Sequence, residues 1–159
     1  MDHIGSRSSA EADDDPMNEI VPHVFVGGIE SLDHLDEYDI YAVITVIHRK
    51  RIVEEALSAR LGPNRPHMRI YIRDDKDEPI NFYFDDAADF IHRYRAQGKN
   101  VLVHCMAGMS RSATLVLYYM MKYLGYNYRS AMTKAKEARP IIHPNSGFRA
   151  HLKKICNKV

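Results

Sequence analysis

The stretch Val101-Leu102-Val103-His104-Cys105-Met106-Ala107-Gly108-Met109-Ser110-Arg111-Ser112 runs from a hydrophobic strand through a tight loop of small residues into the start of a helix. The helix that follows, Ser112 to Leu124, is apolar nearly all round, which predicts burial. Upstream, three further strands are expected: His23 to Gly28 with a glycine stop, the β-branched run Ala42 to Ile47, and the alternating His67 to Ile72. Between strands, Phe84, Ala87, Ala88, Ile91 and Arg95 fall at helical spacing, and Gly98 ends that helix. Downstream, Asn127 can cap a helix running to Arg139 before Pro140, and Asn145 can cap a last one carrying Phe148, Leu152 and Ile155 on one face. Strands alternate with helices, so one α/β domain is expected, its sheet of about four to five mostly parallel strands covered by helices on both faces.

The loop between the fourth strand and the buried helix is where an anion should bind. A helix N-terminus offers unpaired N–H groups and partial positive charge, and small residues before it can turn successive amides toward one centre. Gly108 permits the backbone twist this requires. Cys105, at the loop's first position, is expected to be held as a thiolate by that field and by Arg111, which makes it a nucleophile. Arg111 can lay its planar guanidinium over two oxygens of a phosphoryl group, a match that Lys cannot copy. Ser112 can donate its hydroxyl hydrogen to the sulfur.

Composition bounds the rest. A length of 159 residues and 18.3 kDa suits one domain, and 45% hydrophobic with 27% charged residues excludes collagen-like, coiled-coil and wholly disordered chains. The longest apolar run, Ala113 to Met121, is too short and too interrupted to span a membrane, and there is no secretory h-region. A soluble protein of the cytoplasm or nucleus, without membrane partners, is the expectation. Only Cys105 and Cys156 occur, so a disulfide framework is excluded, and no His or Cys stands at metal-ligand spacing. Residues 1–18, with five acids against one Arg, read as a disordered acidic tail, leaving 19–159 as the folded domain. From Cys105 onward ten Lys and Arg face one acid, Glu137, a balance suited to an anionic ligand. Arg129, Lys134, Lys136 and Arg139 also fit the solvated face of a helix.

The pattern His104-Cys105-x-x-Gly108-x-x-Arg111-Ser112 resembles the signature of the cysteine-dependent protein tyrosine phosphatases, in particular their small dual-specificity branch. The likeness extends from about Ile20 to Ile155, through Pro22 to Gly27, Phe84 to Ile91, Ser112 to Leu124, Arg139-Pro140 and Pro144 to Phe148. It implies a protein-tyrosine-phosphatase-like fold, phosphorylated proteins as substrates, and hydrolysis of phosphotyrosine and phosphoserine or phosphothreonine through a phosphocysteine, with no cofactor and no metal. It further implies a phosphate-binding loop made by the amides of Met106, Ala107, Gly108, Met109, Ser110 and Arg111. Ser112 would ease departure of the thiolate, and His104 would orient or acidify Cys105. A general acid is implied on an upstream loop. The family spacing, ten residues before Phe84 and 31 before Cys105, selects Asp74, with Asp75 and then Asp77 behind it. A shallow pocket is implied by the same resemblance.

Other readings stand beside this one. The same chemistry could serve RNA 5′-phosphates or phosphoinositides, although Met106, Ala107 and Met109 add no charge to the loop and the basic half alone favours nucleic acid. An inactive phosphate-binding module is a third reading. Asn145 could tie the loop after Pro140 to the phosphate loop, or serve only as a helix cap. His48-Arg49-Lys50-Arg51 could receive an acidic flank or a second phosphate, or be a solvated turn. Cys156 is read as a small residue near a helix end, with a resolving thiol as the alternative.

Overall fold

The computed structural model describes residues 15–48 and 54–156. Sequence expectations that fall on the acidic segment 1–14, the basic residues 49–51 and the Cys156 side chain lie outside the described residues.

The three strands whose residues are almost all buried take the middle of the sheet, as burial on both faces requires. β1 (Met17–Val21), β2 (Val24–Gly27), β3 (Ile40–Ile47), β4 (His67–Tyr71) and β5 (Asn100–His104) lie in the order β1-β2-β5-β3-β4. β5 runs parallel to both β2 and β3, β3 runs parallel to β4, and only β1 is antiparallel. Successive side chains of β5 face opposite sides. Val101 and Val103 enter a core with Val26, Ile44, Leu115, Tyr119 and Phe148, while Leu102 joins Phe25, Val43, Leu57 and Leu61 on the other face.

Five α-helices flank the sheet among the described residues. One face carries α2 (Phe84–Arg95), α3 (Arg111–Tyr123), α4 (Tyr128–Ala138) and α5 (Ser146–Cys156); the other carries α1 (Glu54–Leu61) and a 3-10 turn at Ile29–Asp33. α3 is the central helix, with Arg111 to Leu117, Tyr119 and Met120 all buried, and its apolar sequence on every side is thereby explained. Asn127 caps α4 through a reciprocal pair: its Oδ1 accepts the Ser130 amide (2.8 Å), and Ser130 Oγ accepts the Asn127 amide (3.1 Å).

Two elements differ from the sequence expectation. β1 places Met17 and Asn18, assigned from composition to the acidic tail, in the sheet; both are buried, Asn18 because its side chain is hydrogen-bonded rather than solvated. α1 has no counterpart in the expected elements, since it buries only Leu57 and Leu61 and carries too little apolar pattern to read.

Candidate active site

The loop from Cys105 to Ser110 leaves the C-terminal end of β5, between β2 and β3, where ligands of parallel α/β sheets commonly sit. Its backbone is held from outside by one bond after another. The Ile29 amide donates to the Met106 carbonyl (2.9 Å) and the His143 amide to that of Met109 (2.8 Å). Arg139 donates from Nη2 to the Ala107 carbonyl (3.2 Å) and from Nε to that of Gly108 (2.9 Å). Thr114 holds the Ser110 carbonyl with its amide (2.9 Å) and its hydroxyl (2.7 Å). In a trans peptide the N–H of the next residue points opposite to the carbonyl. Five carbonyls drawn outward therefore turn the amides of Ala107, Gly108, Met109, Ser110 and Arg111 inward. Gly108, at φ 67°, is required twice over: a Cβ there would lie 2.5 Å from the Gly27 carbonyl carbon and 2.8 Å from Arg139 Nη2.

Cys105 is buried, and its Sγ lies 3.1 Å from Ser112 Oγ on the first turn of α3. Arg111 opens that helix and is only 8% exposed. Its Nη1 donates to the Ile72 carbonyl (3.1 Å), its Nε is buried without a partner, and no carboxylate pairs with it among the described residues. A buried guanidinium left with an idle donor and no counter-charge is costly unless an anion arrives. The exposed side of the loop is uncharged, formed by Met106, Ala107 and Met109.

The acidic loop after β4 separates its four carboxylates by use. Asp75 Oδ1 accepts the Asp77 amide (2.9 Å), Asp77 pairs with Lys76 (3.4 Å), and Glu78 Oε2 accepts the Arg73 amide (3.0 Å). Asp74 instead accepts from Asn145 Nδ2 (2.9 Å). Asn145 reaches the Cys105–Ser110 loop as well, its backbone amide donating to Ser110 Oγ (3.0 Å), and its Oδ1 accepts the Phe148 amide (2.9 Å) as the cap of α5. Asn145 therefore both contacts that loop and caps α5. Gly147 allows the backbone of Lys76 to lie against α5, since a Cβ there would fall 1.8 Å from the Lys76 carbonyl oxygen.

His104 is fully buried and turns away from the sulfur. Its Nε2 meets Thr45 Oγ1 (2.8 Å), which also meets His67 Nε2 (2.7 Å), and its Nδ1 faces the Cys105 carbonyl (3.4 Å). Burial pushes the pKa of His104 down to about 4, and that of His67 likewise to about 4 with help from the Arg69 charge, so both rings are neutral at neutral pH.

Sequence reasoning missed three supports of this site. Arg139 is not on a wet helix face, unlike exposed Arg129, Lys134 and Lys136: it is 1% exposed, and Nη1 donates to Asn18 Oδ1 (2.7 Å) and the Asp15 carbonyl (3.1 Å) while Nε and Nη2 hold the loop. Its place beside Pro140, beyond the last turn of α4, was the available signal. Thr45 and His67 lay within predicted strands, with nothing local to mark them.

A catalytic-domain family model, "Dual specificity phosphatase, catalytic domain", matches residues 25–158, and the chain belongs to that family. It is 36% identical over 136 residues to tyrosine-protein phosphatase vhp-1 of Caenorhabditis elegans, covering 84% of this chain and 20% of the relative. Dual specificity protein phosphatase 15 of Homo sapiens is 32% identical over 136 residues, covering 84% of this chain and 43% of the relative. The chain thus spans less than half the length of these two relatives. The crystal structure of DUSP15 superposes with a TM-score of 0.77 at 31% identity, covering 88% of this chain and 86% of that one.

Proposed function

We propose that this chain is a dual-specificity protein phosphatase that hydrolyses phosphotyrosine and phosphoserine or phosphothreonine in proteins through a phosphocysteine. The observation that carries the reading is the buried Arg111 guanidinium, with an idle Nε and no carboxylate partner among the described residues, on the same helix start as the Ser112 hydroxyl that meets the Cys105 sulfur, at a loop whose carbonyls from Met106 to Ser110 are drawn to the outside. In the first step the Cys105 sulfur attacks phosphorus, the S–P bond forms, the ester P–O bond breaks, and the Asp74 carboxyl gives its proton to the leaving oxygen. In the second, water attacks phosphorus, Asp74 takes a proton from it, and the S–P bond breaks while the Ser112 hydroxyl donates to the departing sulfur. Arg111 and the inward amides stabilise the equatorial oxygens in both steps, the dominant electrostatic contribution in phosphoryl transfer. Asn145 holds Asp74 toward the loop without touching the reacting atoms.

Turnover of a generic aryl phosphate tests the reading. Activity should be blocked by vanadate and abolished in Cys105→Ser; residual turnover in that variant would overturn the mechanism, and none in the unaltered chain would leave a phosphate-binding module. Initial rates on phosphotyrosine peptides, phosphothreonine peptides, 5′-triphosphorylated RNA and phosphoinositides then assign the substrate class. The uncharged rim of Met106, Ala107 and Met109 supports the peptides.

A further inference from the structure

We infer that Asn18 is a positioning residue for the anion-binding loop: from β1 it holds the Arg139 guanidinium as a clamp on the two peptides that flank Gly108. The inference rests on the phosphatase reading of that loop. It adds to the site a residue from the edge strand of the sheet, two strands away from β5.

The register of the sheet brings Asn18 to the clamp. Asn18 lies opposite Val26 across the β1–β2 pair, and Val26 lies opposite Val103 across β2–β5. Residues directly opposite project to the same face. Val26 and Val103 enter the core beneath α3, so the Asn18 side chain points to that face too, where α4 packs on β1 and Arg139 follows the last turn of α4. There Asn18 Oδ1 accepts from Arg139 Nη1 (2.7 Å), and Asn18 Nδ2 donates to Asp15 Oδ2 (3.1 Å). The carboxylate can only accept, so it fixes the side-chain amide with its oxygen, not its nitrogen, toward the cation.

The loop depends on this clamp at one place. Its Met106 and Met109 carbonyls are held by the backbone amides of Ile29 and His143, and its Ser110 carbonyl by Thr114 in the first turn of α3. Among the described residues, the Ala107 and Gly108 carbonyls are instead held by a side chain, through Arg139 Nη2 (3.2 Å) and Nε (2.9 Å). Successive carbonyls of an extended chain point to opposite sides, whereas these two meet one guanidinium. The amides of Gly108 and Met109 therefore face together away from it, a concavity of paired N–H groups that suits an anion. Gly108 permits this geometry at φ 67° without securing it, because glycine adopts other conformations as readily. The planar fork secures it by fixing both peptides at once, and Asn18 and the Asp15 carbonyl (3.1 Å) keep the fork from swinging through its remaining nitrogen, Nη1.

Nitrogen-15 NMR with inorganic phosphate as the titrant tests the clamp peptide by peptide. Asn18→Leu keeps the volume and removes the acceptor. Exchanging the pair, Asp15→Asn with Asn18→Asp, keeps the net charge and reinstates both bonds. In the unaltered chain phosphate should shift the amide protons of residues 107–111 downfield. In Asn18→Leu the shifts of Gly108 and Met109 should be lost while those of Ser110 and Arg111 persist, with the phosphate Kd and the aryl phosphate KM raised about tenfold. The exchanged pair should restore both shifts and bring Kd within about twofold of the unaltered chain. Full phosphate response in Asn18→Leu overturns the inference, as does an equal loss across all the loop amides or an exchanged pair that restores nothing. Should Asn18→Leu fail to fold, Arg139→Gln decides: Gln has one donor nitrogen for two carbonyls, so the same selective loss is expected, and retention of both shifts overturns the clamp. Absence of phosphate binding in the unaltered chain would instead sink the phosphatase reading, and this inference with it.

Discussion

Asp74 and Arg111 differ in what their loss should do to the reaction. A general acid matters in proportion to how badly the leaving group needs a proton. Asp74→Ala should therefore slow a poor alkyl leaving group by about 10²-fold or more and a good nitrophenolate far less. Equal losses on both substrates would remove Asp74 from the role and return attention to Asp75 or Asp77, whose oxygens are engaged within their own loop. Arg111→Lys keeps the charge and loses the planar fork, so kcat/KM should drop by about 10³-fold with the fold intact by circular dichroism. Retention of near-native kcat/KM would show that a point charge suffices. At this scale the sequence is most informative, because Cys105, Arg111 and Ser112 are neighbours along one loop and helix start. Thr45 and His67 lie 59 and 37 positions upstream of His104, and only the register of three strands brings them to it.

The elements around the loop act as its mould. β5 delivers Cys105, the first turn of α3 presents Ser112 and Arg111, and the α4–α5 connection contributes His143 and Asn145. Because Gly147 gives the acidic loop its seat against α5, Gly147→Ala should displace that loop while leaving Cys105 undisturbed. The expected result is a loss of about 10²-fold on poor leaving groups with an unchanged rate of Cys105 alkylation; a matching loss in alkylation would mean that the whole site had shifted. β5, the loop and α3 were legible because their hydrophobic pattern and glycine placement agree. β1 and α1 were not: β1 is antiparallel, short and polar at Asn18, and α1 offers only two buried leucines. Their burial is decided by what packs on them, which a local pattern does not contain.

Taken as a molecule, the domain keeps two histidines neutral, His104 fully buried and His67 half-buried, and this sets a pH dependence. Below about 4 both folded and unfolded chains bind the protons, and above about 6.5 neither does. Between those limits the unfolded chain binds more, so stability is full at neutral pH and declines as pH falls through the window. His104 alone should account for about 2 kcal/mol between pH 7 and pH 5, and the two rings titrate as a pair. Urea midpoints at the two pH values check this; a flat profile would contradict two histidines held neutral by burial.

The contact between Arg139 and the first strand carries a practical warning. The family match begins at Phe25, yet Asn18 and Asp15 anchor the same guanidinium that grips Ala107 and Gly108. Trimming the polypeptide to the homologous boundary would discard β1 and untie that arginine's far end. A chain shortened in this way would be weakened at the loop that follows Cys105 by an excision made at the opposite edge of the sheet's first hairpin.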